Sequence, residues 1–290
     1  MDRLNQKITL PDGRSLGWAE YGAAEGRPVL YFHGWPASRL EPRLLDGDCS
    51  EMGIRLVAPD RPGMGLSGFK RRRQIIEWAA DVAQLTEHLG LERFAVLGVS
   101  GGGPYATACA WAIPERLTET LLVCSVGPVA DGKAAMRMAG PSGPLLRLAR
   151  SIPWAARLLA PLCLRAIWGK GERLMPEALE ARLAKVDQRV LERAELRASL
   201  IASSQEAFRC GARGPAWDGY LYSQPWGFGL EQIRSPVFLW HGEADVIVPA
   251  AMGRELAERI PGCRAKFYPE DGHLSLPFNR FPEILAALGG

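Results

Sequence analysis

Phe94-Ala95-Val96-Leu97-Gly98-Val99-Ser100-Gly101-Gly102-Gly103 is the stretch on which the reading of this chain turns. Its first six residues are a continuous apolar run, the pattern of a strand buried on both faces. From Pro104 to Ile113 apolar residues return at helical spacing. A serine therefore stands on the turn from strand to helix, inside the Gly-x-Ser-x-Gly frame of Gly98 to Gly102. Such a turn points the hydroxyl out of the sheet, and the glycines tolerate its backbone and the close approach of neighbours. The N–H of Gly101 would lie at the start of a helix, where partial positive charge stabilises an oxyanion. Ser100 is expected to be a nucleophile; the plain alternative is a helix-capping serine in a glycine-rich turn.

Outward from this element, Pro28–Phe32, Arg55–Ala58 and Thr120–Cys124 repeat the buried-strand pattern. Gln6–Leu10 and Ser15–Tyr21 flank the turn sequence Pro11-Asp12-Gly13 and read as a hairpin. Leu40–Met52 and Ile75–Leu89 carry helical periodicity. Alternation of this kind implies a parallel sheet covered on both faces. The pattern changes near Val129. From there to about Ile233 no strand is legible, and Leu145–Arg150, Ala155–Ile167 and Pro176–Phe208 read as helical. Strands resume at Pro236–Trp240 and Ala265–Tyr268, and a last helix is expected over Phe281–Leu288. The expected organisation is an α/β core of residues 1–129 and 234–290 with a folded helical insertion, residues 130–233.

The chain has 290 residues, of which 47% are hydrophobic and 23% charged, enough for a full core and too apolar for disorder. Thirty-five basic residues nearly balance 32 acidic ones, so no global field calls for a nucleic acid or a membrane. The N-terminus, Met1 to Lys7, carries no apolar leader, and Arg157 and Arg165 interrupt the most apolar later window. A cytoplasmic protein is expected. The six cysteines are scattered without a Cys-x-x-Cys pair, which argues against zinc and for free thiols. Cys109 and Cys124 read as small core residues.

A serine hydroxyl needs a base, and there are four histidines. His88 sits at a helix end, and His33 and His241 follow strands, where they suit loop organisation. His273, between the last strand and the last helix, would open on the same sheet edge as Ser100, and is the favoured base. Its tautomer must be held by a carboxylate. The segment His241-Gly242-Glu243-Ala244-Asp245 offers two; Asp245 is preferred to Glu243, with Asp131 third.

Together with Phe32-His33-Gly34-Trp35-Pro36 and Asp60-Arg61-Pro62-Gly63-Met64-Gly65-Leu66-Ser67, these segments, in this order, resemble the α/β-hydrolase family over essentially the whole chain. The resemblance implies a mostly parallel eight-stranded sheet flanked by helices. It also implies that Trp35 donates a second oxyanion N–H beside Gly101, and that the insertion caps the active site. Expected pocket residues are Trp35, Tyr222, Trp226, Val246 and Leu274, with Tyr220 a further candidate from the insertion. No metal or organic cofactor is implied, because the chemistry of Ser100, Asp245 and His273 is self-sufficient.

Two signals are discounted. Gly63-Met64-Gly65-Leu66-Ser67-Gly68 matches a dinucleotide fingerprint literally, but no helix opens within it. Lys70-Arg71-Arg72-Arg73 reads as solvated surface. The leading expectation is a carboxylic ester hydrolase acting on small to medium apolar acyl groups, with a small-molecule ester as its partner. Carbon–carbon bond hydrolysis or perhydrolysis with the same three residues competes with it. So do a non-catalytic ligand receptor on this fold and cofactor-free oxygenase chemistry. A serine nucleophile excludes the carboxylate-dependent opening of epoxides and haloalkanes.

Overall fold

The computed structural model describes residues 2–128, 159, 161–164, 174–175 and 177–288. The expected helices over 145–150 and most of 155–167 lie outside them, as does Asp131.

Eight strands form one sheet: β1 (Gln6–Thr9), β2 (Ser15–Gly22), β3 (Arg27–Phe32), β4 (Ile54–Pro59), β5 (Phe94–Val99), β6 (Leu117–Val123), β7 (Val237–Gly242) and β8 (Arg264–Tyr268). Their order is β1-β2-β4-β3-β5-β6-β7-β8. The hairpin β1–β2 and the β2–β4 pair are antiparallel; every other neighbour is parallel. Continuous apolar strands are explained by burial on both sides. Along β3, Val29 and Tyr31 face one core, and Leu30 and Phe32 the other. Along β5, Ala95 and Leu97 alternate in the same way with Phe94 and Val96. Each large apolar side chain so enclosed contributes about 1.5–3 kcal/mol relative to exposure.

Helices α1 (Asp46–Glu51), α2 (Trp78–His88) and α3 (Gly103–Ala112) connect the first strands. Cys49 of α1 packs on one face of the sheet, Val82 and Leu85 of α2 on the other. Cys109 and Cys124 are fully buried, as expected of core residues.

Between β6 and β7 the described chain is helical. The helix expected over 176–208 is divided into α4 (Glu177–Glu180), α5 (Lys185–Leu191) and α6 (Ala194–Ala207). Extended backbone at Ala184 and Arg193 breaks it, and neither residue announces a break in the sequence. A further helix, α7 (Arg213–Tyr222), escapes sequence reading because Gly214, Pro215 and Gly219 look like turn residues. Pro215 lies in the first turn, where its missing N–H costs nothing. Gly214 packs its backbone directly on Gly63. After β7 come α8 (Ala250–Arg259), α9 (Ser275–Asn279) and α10 (Phe281–Ala286). No helix among the described residues is long and apolar enough to cross a membrane.

Candidate active site

Ser100 follows β5 near the middle of the sheet, with φ +53°, the left-handed backbone expected of a serine on this turn. Tight packing requires the glycines around it. A Cβ on Gly102 would overlap the Phe32 carbonyl, so any larger residue would push the turn off β3.

The loops after β7 and β8 bring the other two residues to Ser100. Nε2 of His273 lies 3.0 Å from the Ser100 hydroxyl, and Nδ1 lies 2.7 Å from Oδ2 of Asp245. A carboxylate only accepts, so Nδ1 carries the proton and Nε2 accepts from the serine. The other oxygen of Asp245 accepts the N–H groups of Ile247, at 2.9 Å, and Val248, at 2.8 Å. Burial opposes the Asp245 charge, but His273 and His241 outweigh it and lower its pKa to about 2. Burial alone would push the His273 imidazole down; the Asp245 carboxylate reverses this and raises it above the ordinary value of 6.5. Glu243, the alternative acid, is exposed and paired with Arg254.

The remaining histidines organise loops. His33 is buried, held neutral by desolvation, and joins the Gly34 carbonyl to the Arg61 N–H. His241 donates to the Val248 carbonyl at 2.8 Å, closing the Asp245 loop. His88 ends α2 and packs edge-on against Trp18.

Gly101 and Trp35 are neighbours: a Cβ on Gly101 would stand 2.8 Å from that of Trp35. Both are braced by α7. Trp35 donates its indole N–H to the Pro215 carbonyl at 2.7 Å, and the Tyr222 hydroxyl donates to the Gly101 carbonyl at 2.9 Å. Arg61 donates to the carbonyls of His33 and Gly34 and pairs with Asp218 of α7. Asp218 also pairs with Arg73 and accepts from Tyr105. Arg73 is thus buried, unlike the solvated run expected around it, because a buried carboxylate draws it in. Removing that carboxylate would strand two guanidinium groups in the interior. Asp218→Ala is expected to destabilise the protein by about 3–5 kcal/mol, read as a lower urea midpoint; an unchanged midpoint would refute this.

Asp187 on α5 has no signal in the sequence, where Lys185 to Arg189 looks like an ordinary charged helix. It is fully buried and holds the His273 loop. One oxygen accepts the N–H of His273 at 2.9 Å; the other accepts the N–H groups of Leu274 and Ser275 and the Ser275 hydroxyl. Gly272 can bear no side chain because Asp187 occupies that space. Asp187→Asn is expected to lower kcat/KM about 10²-fold through misplacement of the imidazole. Ester kinetics on protein of verified native thermal unfolding check this; a loss under about twofold would refute it.

A cavity of about 140 Å³ reaches Ser100 and His273. Its walls include Trp35 and Leu274, both named from the sequence, with Ile247, Phe278, Leu179 and Met175. Three expected pocket residues do not line it. Tyr222 lies behind Gly101, its hydroxyl engaged there. Trp226 lines a separate groove with Trp111 and Phe228. Val246 packs with the α5–α6 cluster while its neighbour Ile247 faces the cavity. Tyr220 is absent from the lining too and packs against Trp217.

Among the described residues, Cys124, Asp245 and His273 bring possible metal ligands within 4.8 Å of one another. Their chemistry does not suit an ion. Burial pushes the Cys124 thiol well up, and Asp245 and His273 already share a proton.

A model of the alpha/beta hydrolase family matches residues 29–288. Among curated relatives, a non-heme chloroperoxidase of Streptomyces lividans is 36% identical over 130 residues, 42% of this chain and 45% of the relative, so the chain spans under half of that protein. A 2-hydroxymuconate semialdehyde hydrolase of Pseudomonas putida is 26% identical over 86% of this chain and 81% of its own. Among solved structures, an esterase from Exiguobacterium antarcticum superposes with a TM-score of 0.72, covering 98% of each chain at 20% identity.

Proposed function

The chain belongs to the alpha/beta hydrolase family, and from that premise we propose that it is a carboxylic ester hydrolase with Ser100 as nucleophile, His273 as base and Asp245 as the carboxylate that orients it. One observation carries the reading: the unbroken hydrogen-bond chain Asp245–His273–Ser100 at an apolar cavity. Ser100 Oγ attacks the ester carbonyl carbon while its proton passes to His273 Nε2. The oxyanion is received by the N–H groups of Gly101 and Trp35. The intermediate collapses as His273 H⁺ protonates the departing alkoxide, leaving an acyl-Ser100 ester. Water, deprotonated by His273, attacks that ester and releases the acid. No step calls for a metal or an organic cofactor.

The apolar walls, aliphatic and aromatic, favour small to medium apolar acyl groups. We read residues 130–233 as a cap on a core of 1–129 and 234–290. Support comes from Asp187, Pro215, Asp218 and Tyr222, which reach from this insertion to the His273 loop and to the oxyanion donors. The test is p-nitrophenol release from p-nitrophenyl butyrate, with an organophosphorus ester as a covalent trap. Turnover and a phosphoryl adduct on Ser100 are expected; neither turnover nor adduct would overturn the reading.

Hydrolysis of a carbon–carbon bond beside a ketone is the second reading, favoured by similarity over 86% of the chain to the semialdehyde hydrolase. It uses the same three residues. Faster cleavage of a vinylogous 1,5-diketone than of any simple ester would select it.

A further inference from the structure

We propose that Glu41 is a specificity-determining residue that selects substrates bearing a hydroxyl group close to the scissile carbonyl. The proposal rests on the ester-hydrolase reading of the same cavity. Apart from Ser100, His273 and the indole of Trp35, whose N–H is given to Pro215, the described lining offers two polar side chains, Tyr31 and Glu41. Tyr31 is already committed, donating its hydroxyl to Glu41 Oε2 at 2.9 Å. The same oxygen accepts the Gly34 N–H at 2.7 Å. Oε1 takes no hydrogen bond from the described residues. Its position is fixed by Gly34, where an added Cβ would stand 2.9 Å from Oε1 and 3.6 Å from the Ser100 Cβ. One point therefore touches both the unsatisfied oxygen and the nucleophile's side chain.

An unsatisfied carboxyl oxygen beside a reaction centre is costly when an apolar substrate covers it. A substrate hydroxyl removes that cost. It suits either charge state, since it donates to a carboxylate and accepts from a carboxylic acid. Burial raises the Glu41 carboxyl above its ordinary range, and the hydroxyl would serve it in either form. A site built to hydrogen-bond a hydroxyl discriminates against the analogue without it, because its own polar group is then left unpaired. Glu41 also steadies the loop bearing Trp35 through Gly34, so its substitution lowers turnover of every ester. The ratio between two esters cancels that common loss.

The experiment compares p-nitrophenyl 3-hydroxybutyrate with p-nitrophenyl butyrate, and 2-hydroxypropyl butyrate with propyl butyrate. The two pairs place the hydroxyl on the acyl and alcohol sides. In the wild type, kcat/KM is expected to favour the hydroxylated member of at least one pair by about tenfold. Glu41→Leu should bring that ratio to about one or below; Glu41→Gln, which keeps polar atoms at both positions, should largely preserve it. Calorimetric binding of the same ester pairs to Ser100→Ala, with and without Glu41→Leu, reads the preference without turnover. Ratios equal in wild type and Glu41→Leu, in kinetics and binding alike, would overturn the proposal and leave Glu41 a loop anchor. Absent turnover with the binding preference intact would instead overturn the ester-hydrolase reading and support the hydroxyl site.

Discussion

Ser100→Ala is expected to lower kcat/KM for p-nitrophenyl butyrate by about 10⁴-fold or more. The substitution removes the atom that would form the acyl bond. Little else changes: the Ser100 side chain makes a single hydrogen bond, to His273, among the described residues. The left-handed backbone at this position costs alanine no more than serine. Stability should therefore stay within about 1 kcal/mol of the wild type, a single hydrogen bond's net contribution. Stopped-flow kinetics of both proteins, with thermal unfolding recorded beside them, make the comparison. A variant that folds normally and retains more than about a tenth of the activity would remove Ser100 from the reaction. Loss of activity together with loss of folding would leave the chemistry unassigned, and the organophosphorus adduct on the wild type then decides.

Asp245→Asn is expected to cost about 10⁴ in kcat, because an amide can present its NH₂ to Nδ1 and turn the imidazole to the wrong tautomer. The pH profile gives an independent readout. His273 must be neutral to accept the serine proton. Its folded pKa is raised above 6.5, so wild-type kcat/KM should be low below that pKa and level off above it. The acid limb thus lies above the ordinary imidazole value. Without the Asp245 charge, the largest raising influence is lost; Asp187 and Glu41 remain, but so does burial, the strongest single influence, which disfavours the imidazolium. The residual activity of Asp245→Asn should show its acid limb at lower pH than the wild type. A limb that stays in place would mean that another group governs it.

These two residues differ in how they were legible. Ser100 could be read with its neighbours alone, since a buried strand, a glycine turn and a helix follow one another within twenty residues. Asp245 needed the order of strands as well, and Glu243, two residues away, satisfied the same sequence argument. The structure separates them by burial: Asp245 points under His273, and Glu243 faces solvent beside Arg254. The pocket was the least legible part. Tyr222 and Trp226 are aromatic residues of the insertion, as an apolar pocket favours, but composition does not say which way a helix is turned. Tyr222 faces Gly101, and Ile247 rather than Val246 faces the cavity.

Asp187, Glu41 and Asp218 mark the limit more sharply. Each is an acidic residue in an unremarkable stretch, and each is engaged in a contact that its neighbours in sequence do not announce. Asp187 meets His273, Asp218 meets Arg61, and Glu41 folds back on Gly34. By itself the sequence determined the alternating strands and helices, the turn that raises Ser100, and the order in which Ser100, Asp245 and His273, the residues proposed as nucleophile, acid and base, follow one another. Those features depend on periodicity and on backbone sterics that act over a few residues. Only the tertiary structure decided which carboxylates are buried, which oxygen of Glu41 lacks a partner among the described residues, and which side chains wall the cavity. These depend on desolvation and on how the folded segments are placed against one another, about which neither propensity nor spacing carries information.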